Sequence, residues 1–277
     1  MSRTRLLAES WTAIAQQYEH RLAPLFQPWL DELVGSLDAR DLPEGDVIVP
    51  ACGPGIELLM LAEVLPGESR IVGIDLAAGM VDVANTRIAA TPDRLLRQRV
   101  SACVGDACNL AILGRPPALI LSCFGLQQMP EPSEVLLGWL ASLAPGGLLA
   151  VAYWPPADGQ QDAAWRALTD PALFKNPEAL PLGWDRGIAA RLADAGGTIL
   201  VDDAPRHSMS FGSPADCFEV MMEAGPLHSR LLRHGPEHMR ALKTSYCSHF
   251  KAPSLPFTIR PNAKRLLVRR AVVPSAL

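Results

Sequence analysis

Charge is scarce in this sequence. Asp, Glu, Lys and Arg make up 19% of its 277 residues, and 25 Lys and Arg are outnumbered by 29 Asp and Glu, for a formal net charge of -4. A chain without a basic surplus has little with which to neutralise a run of phosphates, so nucleic acid is not an expected partner. The six cysteines (Cys52, Cys103, Cys108, Cys123, Cys217 and Cys247) form no CxxC pair. Buried, reduced thiols in a cytoplasmic protein are the simplest expectation. No apolar stretch of signal-peptide length follows the two arginines of MSRTRLLAESW, and the longest apolar run, Leu140 to Trp154, is cut by Pro145-Gly146-Gly147. Neither export nor a membrane span is expected. No repeat of fixed period and no low-complexity segment occurs.

What the chain does have is apolar surface to bury. A hydrophobic content of 49% excludes a disordered chain, and 25 prolines without a period exclude collagen and argue for many short connections. At roughly 150 residues per domain, the length allows one large domain or one domain with an insertion.

Ser10 to Leu37 carries apolar residues at helical spacing with a break near Pro24, predicting two amphipathic helices. From Asp46 the texture changes. Val47-Ile48-Val49 is a buried-strand signal, followed by the turn Cys52-Gly53-Pro54-Gly55 and a helical run to Leu65. Four more strands are predicted at Ile71 to Ile74, Val100 to Val104, Ala118 to Ser122 and Leu148 to Tyr153, with helices over Gly79 to Ala90 and Glu134 to Leu143. Alternating strands and helices imply a parallel sheet covered on both faces. Pro155 to Pro181 is rich in Pro and Asp, and Trp184 to Ala195 is helical. Thr198 to Val201 reads as a sixth strand, Ala215 to His249 as helices interrupted by Pro226 and Pro236, and Arg265 to Val273 as a final strand. In open sheets of this kind ligands sit beyond the carboxyl ends of the strands.

Three strand ends carry groups suited to one adenosine. Gly53-x-Gly55 follows a strand and opens a helix, where glycine admits close backbone approach and the helix start offers unpaired N-H groups. Leu58 stands where the dinucleotide pattern G-x-G-x-x-G has its third glycine, which disfavours NAD and FAD. Asp75 ends the second strand and can accept both ribose hydroxyls, although in isolation it is equally a helix N-cap. Asp106, ending the neighbouring third strand, can take an adenine amino hydrogen or serve as a turn residue.

VIVPACGPG (Val47 to Gly55), VGIDLAAGMVDVA (Val72 to Ala84), VGDACNL (Val104 to Leu110), LSCFGLQQMPEP (Leu121 to Pro132) and LAPGGLLAVAYW (Leu143 to Trp154) resemble, in order and spacing, the motifs of class I S-adenosylmethionine-dependent methyltransferases. The small-molecule branch containing the quinone-methylating enzymes is the nearest in pattern. The resemblance implies an α/β Rossmann-like three-layer sandwich: a seven-stranded, mostly parallel sheet with an antiparallel last strand. Residues 1–40 would be lid helices, 46–153 the cofactor-binding core, and 154–277 the remaining strands with a helical insertion, all in a single domain spanning 1–277. The resemblance also implies that Ala51, Gly53 and Gly55 approach the methionine part of S-adenosylmethionine, Asp75 and Leu76 hold the ribose, and Met80 flanks the adenine. Asp106 and Ala107 would meet the adenine edge, and Ser122 to Phe124 would line the sulfonium. An N-terminal helix closing the pocket gives Trp11 and Tyr18 a functional role beside the alternative of plain core packing.

The sequence departs from that pattern twice. Val49-Pro50 stands where the family has an acid at the end of the first strand, and Gln127-Gln128 stand where related enzymes often have histidines. Glutamine cannot act as a general base near neutral pH, and the pair is as readily a cap of the next helix. His234 and His238 are four apart but separated by Pro236, so no metal site is expected. The runs Arg94 to Arg99 and Arg265, Arg269, Arg270 read as solvated faces. Met209, Met221, Met222 and Met239 with Phe211, Phe218 and Phe250 form an apolar cap, either core or acceptor pocket.

The expected activity is transfer of a methyl group from S-adenosylmethionine to a small acceptor, in secondary or cofactor metabolism, with Tyr18 and Gln127 as catalytic residues. An alternative keeps fold and ligand but has the cofactor's own amine attack its γ-carbon, giving azetidine-2-carboxylate and methylthioadenosine. Tyr18 and Gln127 would then hold the amine, while Phe124 or Trp154 faces the sulfonium. A third reading is a cofactor-binding protein without catalysis. The sequence leaves the acceptor and the oligomeric state open.

Overall fold

The computed structural model describes residues 3–65, 67, 69–110, 115–169, 183–250 and 256–272. Two helices open the chain, α1 (Arg3–Gln17) and α2 (Ala23–Gly35), joined by a widened helical turn at Tyr18–Leu22. There follow β1 (Val47–Pro50), α3 (Ile56–Val64), β2 (Ile71–Asp75), α4 (Ala78–Ala90), α5 (Arg94–Arg99), β3 (Val100–Val104), β4 (Leu119–Cys123), α6 (Pro132–Ser142) and β5 (Leu148–Tyr153). The remainder supplies α7 (Ala163–Thr169), α8 (Ile188–Asp194), β6 (Gly197–Asp203), β7 (Met209–Phe211), α9 (Pro214–Met221), α10 (Gly225–His249), β8 (Phe257–Ile259) and β9 (Lys264–Arg270).

Seven strands form one sheet in the order β3-β2-β1-β4-β5-β9-β6. The pairs among β1 to β5 are parallel, and β9 enters antiparallel between β5 and β6. This is the three-layer α/β arrangement implied by the motif order. Because side chains alternate across a strand, one face presents Val47, Val49, Leu119 and Leu121 to Leu33, Leu58 and Leu61. The other presents Ile48, Ile120 and Val151 to Leu136, Trp139 and Leu192. Strands buried on both faces account for the unbroken apolar runs in the sequence.

Three expectations need correction. The first helix begins by Arg3 rather than Ser10, and the break lies at Tyr18–Leu22 rather than at Pro24. Pro24 sits in the first turn of α2, where a missing N-H leaves nothing unpaired. The insertion between the sixth and last strands of the sheet is not purely helical, since β7 and β8 pair as an antiparallel ribbon. As expected, the helices break near Pro226, which opens α10 after α9 ends at Met221, and Pro236 coincides with a kink at Gly235, whose φ is 79°.

The apolar cap is core. Met209, Phe211, Phe218, Met221 and Met239 pack with Phe26, Trp29, Phe124, Trp154 and Trp165, while Met222 and Phe250 lie partly buried against them. Arg265 is not a solvated residue either: its guanidinium grips Asp203 at 2.9 and 2.6 Å and reaches the Ser36 hydroxyl at 3.2 Å. All six cysteines are free thiols, but only Cys52 and Cys217 are buried and Cys103 is exposed. No helix among the described residues is long and apolar enough to cross a membrane.

Candidate functional site

The loop after β1 is shaped by three left-handed residues at alternate positions: Ala51 (φ 52°), Gly53 (φ 50°) and Gly55 (φ 74°). Two of the three are glycine, for which that conformation carries no steric cost. A Cβ built on Gly53 meets nothing within 4 Å, so the floor there is open, whereas one on Gly55 would stand 2.8 Å from Ala84 Cβ. Gly55 therefore allows α3 and α4 to approach each other rather than contributing to a ligand cradle. The loop after β4 comes equally close, since a Cβ on Gly125 would lie 2.3 Å from Ala51 Cβ.

Asp75, at the end of β2, ties these pieces together. Its Oδ2 accepts the Gly53 N-H at 2.9 Å and its Oδ1 accepts the Ala77 N-H, also at 2.9 Å. The carboxylate thus fixes both the glycine loop and the entry to α4, and burial pushes its pKa up. Just past β3, Asp106 is exposed at the rim, where its Oδ1 accepts the Cys108 N-H at 2.9 Å. Beside β4, Phe124 takes φ 60° and stacks on Trp154 with ring centroids 4.1 Å apart and planes 8° from parallel.

These strand ends enclose a cavity of about 180 Å³, floored by Ala51, Gly53 and Asp75. Leu76, Met80, Asp106 and Ala107 form one wall, and Cys123, Phe124, Gly125 and Gln128 another. Helix α1 roofs it with Thr4, Leu7, Ala8 and Trp11, and Tyr18 closes the end. Trp11 Nε1 donates to Gln128 Oε1 at 2.6 Å, latching roof to wall, and Tyr18 meets Trp11 edge-on at 5.0 Å. Burial pushes the Tyr18 phenol well up, so it stays protonated and can donate a hydrogen bond.

Nine of the expected residues therefore line one cavity: Ala51, Gly53, Asp75, Leu76, Met80, Asp106, Ala107, Phe124 and Tyr18. Gly55, Ser122 and Gln127 do not. The Ser122 hydroxyl is fully buried and donates to the Pro50 carbonyl at 2.9 Å, stitching β4 to β1. Gln127 donates to the Phe124 carbonyl on its own turn, and it is Gln128 whose side chain reaches the pocket. Sequence reasoning also passed over Thr4, Leu7 and Ala8, although with Trp11 they mark a helical stripe at spacings of three and four. His234 and His238 sit on α10 with rings 4.8 Å apart, outside the pocket lining. Among the described residues no group of three or more His, Cys, Asp or Glu is placed to hold a metal.

Fold and site together define the class: a Rossmann-like, methyltransferase-type sheet with a pocket across its strand ends. Residues 47–147 match the family model described as a methyltransferase domain. Among curated proteins, a trans-aconitate 2-methyltransferase of Variovorax paradoxus is 29% identical over 143 residues, 51% of this chain and 50% of that protein. A demethylmenaquinone methyltransferase of Symbiobacterium thermophilum is 30% identical over 105 residues, 38% of each. The chain spans about half the length or less of these curated relatives. Among solved structures, magnesium protoporphyrin IX methyltransferase of Synechocystis, with bound S-adenosylmethionine, shares the fold at a TM-score of 0.56 and 13% identity, covering 98% of both chains. The resemblance to class I methyltransferases read from the motifs is thus upheld by family model and relatives, and the fold by the solved structure.

Proposed function

We propose that the protein binds S-adenosylmethionine across the ends of β1 to β4 and transfers its methyl group to a small-molecule acceptor. The observation that carries this reading is the convergence on one cavity of the open Gly53 floor, the Asp75 carboxylate and the Asp106 rim. Each oxygen of Asp75 accepts one backbone N-H and has a further lone pair for a ribose hydroxyl. Met80 and Ala107 supply flat apolar contact for a base, with Asp106 at its edge. When bound, the cofactor supplies a methyl group on a cationic sulfur.

Around that group this chain has positioning to offer. The α1 roof, latched by Trp11 and Gln128, covers the cavity, and Tyr18 presents a protonated phenol at its end. Displacement at a methyl carbon needs the acceptor in line with the sulfur, and alignment supplies most of the rate. In this reading the role first given to Gln127 belongs to Gln128. A small organic acceptor, in secondary or cofactor metabolism, fits the closed roof better than a macromolecule. The cytoplasm is the proposed setting.

Incubating the pure protein with S-adenosylmethionine, with and without an acceptor panel, and following products by mass spectrometry tests this. S-adenosylhomocysteine appearing only with an acceptor supports the proposal. Methylthioadenosine with an azetidine, formed without any acceptor, would replace it by the cyclase reading. Tight binding with no product would leave only a binding protein.

A further inference from the structure

Behind the main cavity lies a second, smaller one. It has about 30 Å³ of room, enough for an ammonium-sized group, and shares Tyr18, Cys123 and Phe124 with the main cavity as common walls. Phe26 completes an aromatic lining, and Glu57, from the first turn of α3, is the one charged residue in its wall among the described residues. Glu57 makes no ion pair with the described residues. The cation acting on it, Arg87, is already paired with Glu19 and donates to the Pro54 carbonyl at 3.0 Å. A carboxylate set among rings, without its own counter-charge, is a receptor for a cation: the anion attracts it and the ring faces add cation-π stabilisation.

We propose that this niche receives the cationic amine at the amino-acid end of the ligand held in the main cavity, with Glu57 as the residue that binds it. The inference rests on the S-adenosylmethionine reading above: Tyr18, Cys123 and Phe124 line both cavities, so the niche lies directly beside the ligand's place. Burial raises the Glu57 pKa to about 7, so the niche changes from anionic to neutral within the range in which proteins are commonly assayed. The other groups facing Glu57 are Tyr18 from the turn after α1, Cys52 in the glycine loop, Cys123 on β4, Asp75 on β2 and Arg87 on α4. Tyr18, Cys52 and Cys123 are all pushed up by burial and remain protonated. Asp75 also titrates upward, but it serves the ribose and so affects any adenosine ligand alike.

Two probes separate these effects: S-adenosylmethionine, and methylthioadenosine, which has the same nucleoside but no amine. By calorimetry, Glu57→Gln is expected to weaken S-adenosylmethionine binding about tenfold to a hundredfold and leave methylthioadenosine within twofold. In the wild type, the ratio of the two affinities should fall below about pH 7 by up to tenfold per pH unit until it levels near the Glu57→Gln value, and in Glu57→Gln it should be flat. Equal losses for both probes, no loss for S-adenosylmethionine, or a pH-independent wild-type ratio would overturn the assignment of Glu57. The wild-type ratio needs no variant, so it decides the matter even if Glu57→Gln fails to fold. A wild type that binds neither probe would overturn the cofactor reading itself.

Discussion

Removing the Glu57 charge should stabilise the ligand-free protein, and the size of the gain follows from the site. Burial raises this carboxyl from its ordinary 4.5 to about 7, against the pull of Arg87 and of its own backbone hydrogen bond. At about 1.4 kcal/mol per pH unit, keeping it ionised in the fold costs about 3 kcal/mol, and water reaching a half-buried carboxyl trims that to about 2 kcal/mol. Because the folded state raises the pKa, the cost is absent below pH 4.5, grows between 4.5 and 7 and is constant above. Glu57→Gln keeps the shape and the acceptor oxygen while removing the charge. Its melting temperature should therefore pull ahead of the wild type between pH 5 and 8, by about 4 °C at the upper end for a chain of this size. Differential scanning calorimetry across that range is the measurement. A pH-independent gap, or a variant less stable than the wild type at pH 8, would refute the placement of the carboxyl in a desolvated niche. The same substitution is predicted to weaken S-adenosylmethionine, so stability and ligand affinity move in opposite directions, as expected of a group held in place for binding.

Asp75→Ala deprives the Gly53 and Ala77 N-H groups of their acceptors; a loss of about 2–4 kcal/mol in urea unfolding is expected, with no calorimetric binding of S-adenosylmethionine. Gly225→Ala places a Cβ 2.3 Å from Trp11 Cε2, which must shift the roof; weaker ligand binding and altered Trp fluorescence should accompany a cost of about 1–3 kcal/mol. Trp11→Phe keeps an aromatic, though smaller, ring but loses the 2.6 Å bond to Gln128, and should lower stability by about 1 kcal/mol and weaken ligand binding measured by calorimetry. Trp139→Ala removes a fully buried ring that donates to the Ala107 carbonyl at 2.8 Å; about 3–5 kcal/mol of stability should go, read by thermal melting.

The sheet was legible because its signals are local. Short apolar runs, that of β2 ended by Asp75 and that of β3 by Gly105-Asp106, place β1 to β5 within about a residue of their observed limits. The acidic and glycine positions at the strand ends were legible for the same reason, since strand polarity alone carries every carboxyl end to one edge of a parallel sheet. Other features were settled only by residues distant in the chain. The break in the first helix falls at Tyr18, not at Pro24, because that turn packs its ring between Trp11 and Phe26. The β7–β8 ribbon pairs strands too short to announce themselves.

Sequence by itself determined the α/β class, the glycine loop and the row of polar strand ends, all consequences of periodicity and of backbone conformations open only to certain residues. Tertiary structure decided which of two adjacent glutamines faces the pocket, which serine is a staple, and which helix forms the roof. It also turned an unremarked Glu57 in a helical run into the one charge, among the described residues, lining an aromatic niche. Side-chain direction, burial and the company of residues remote in sequence set those outcomes, and none of these is written in a local pattern.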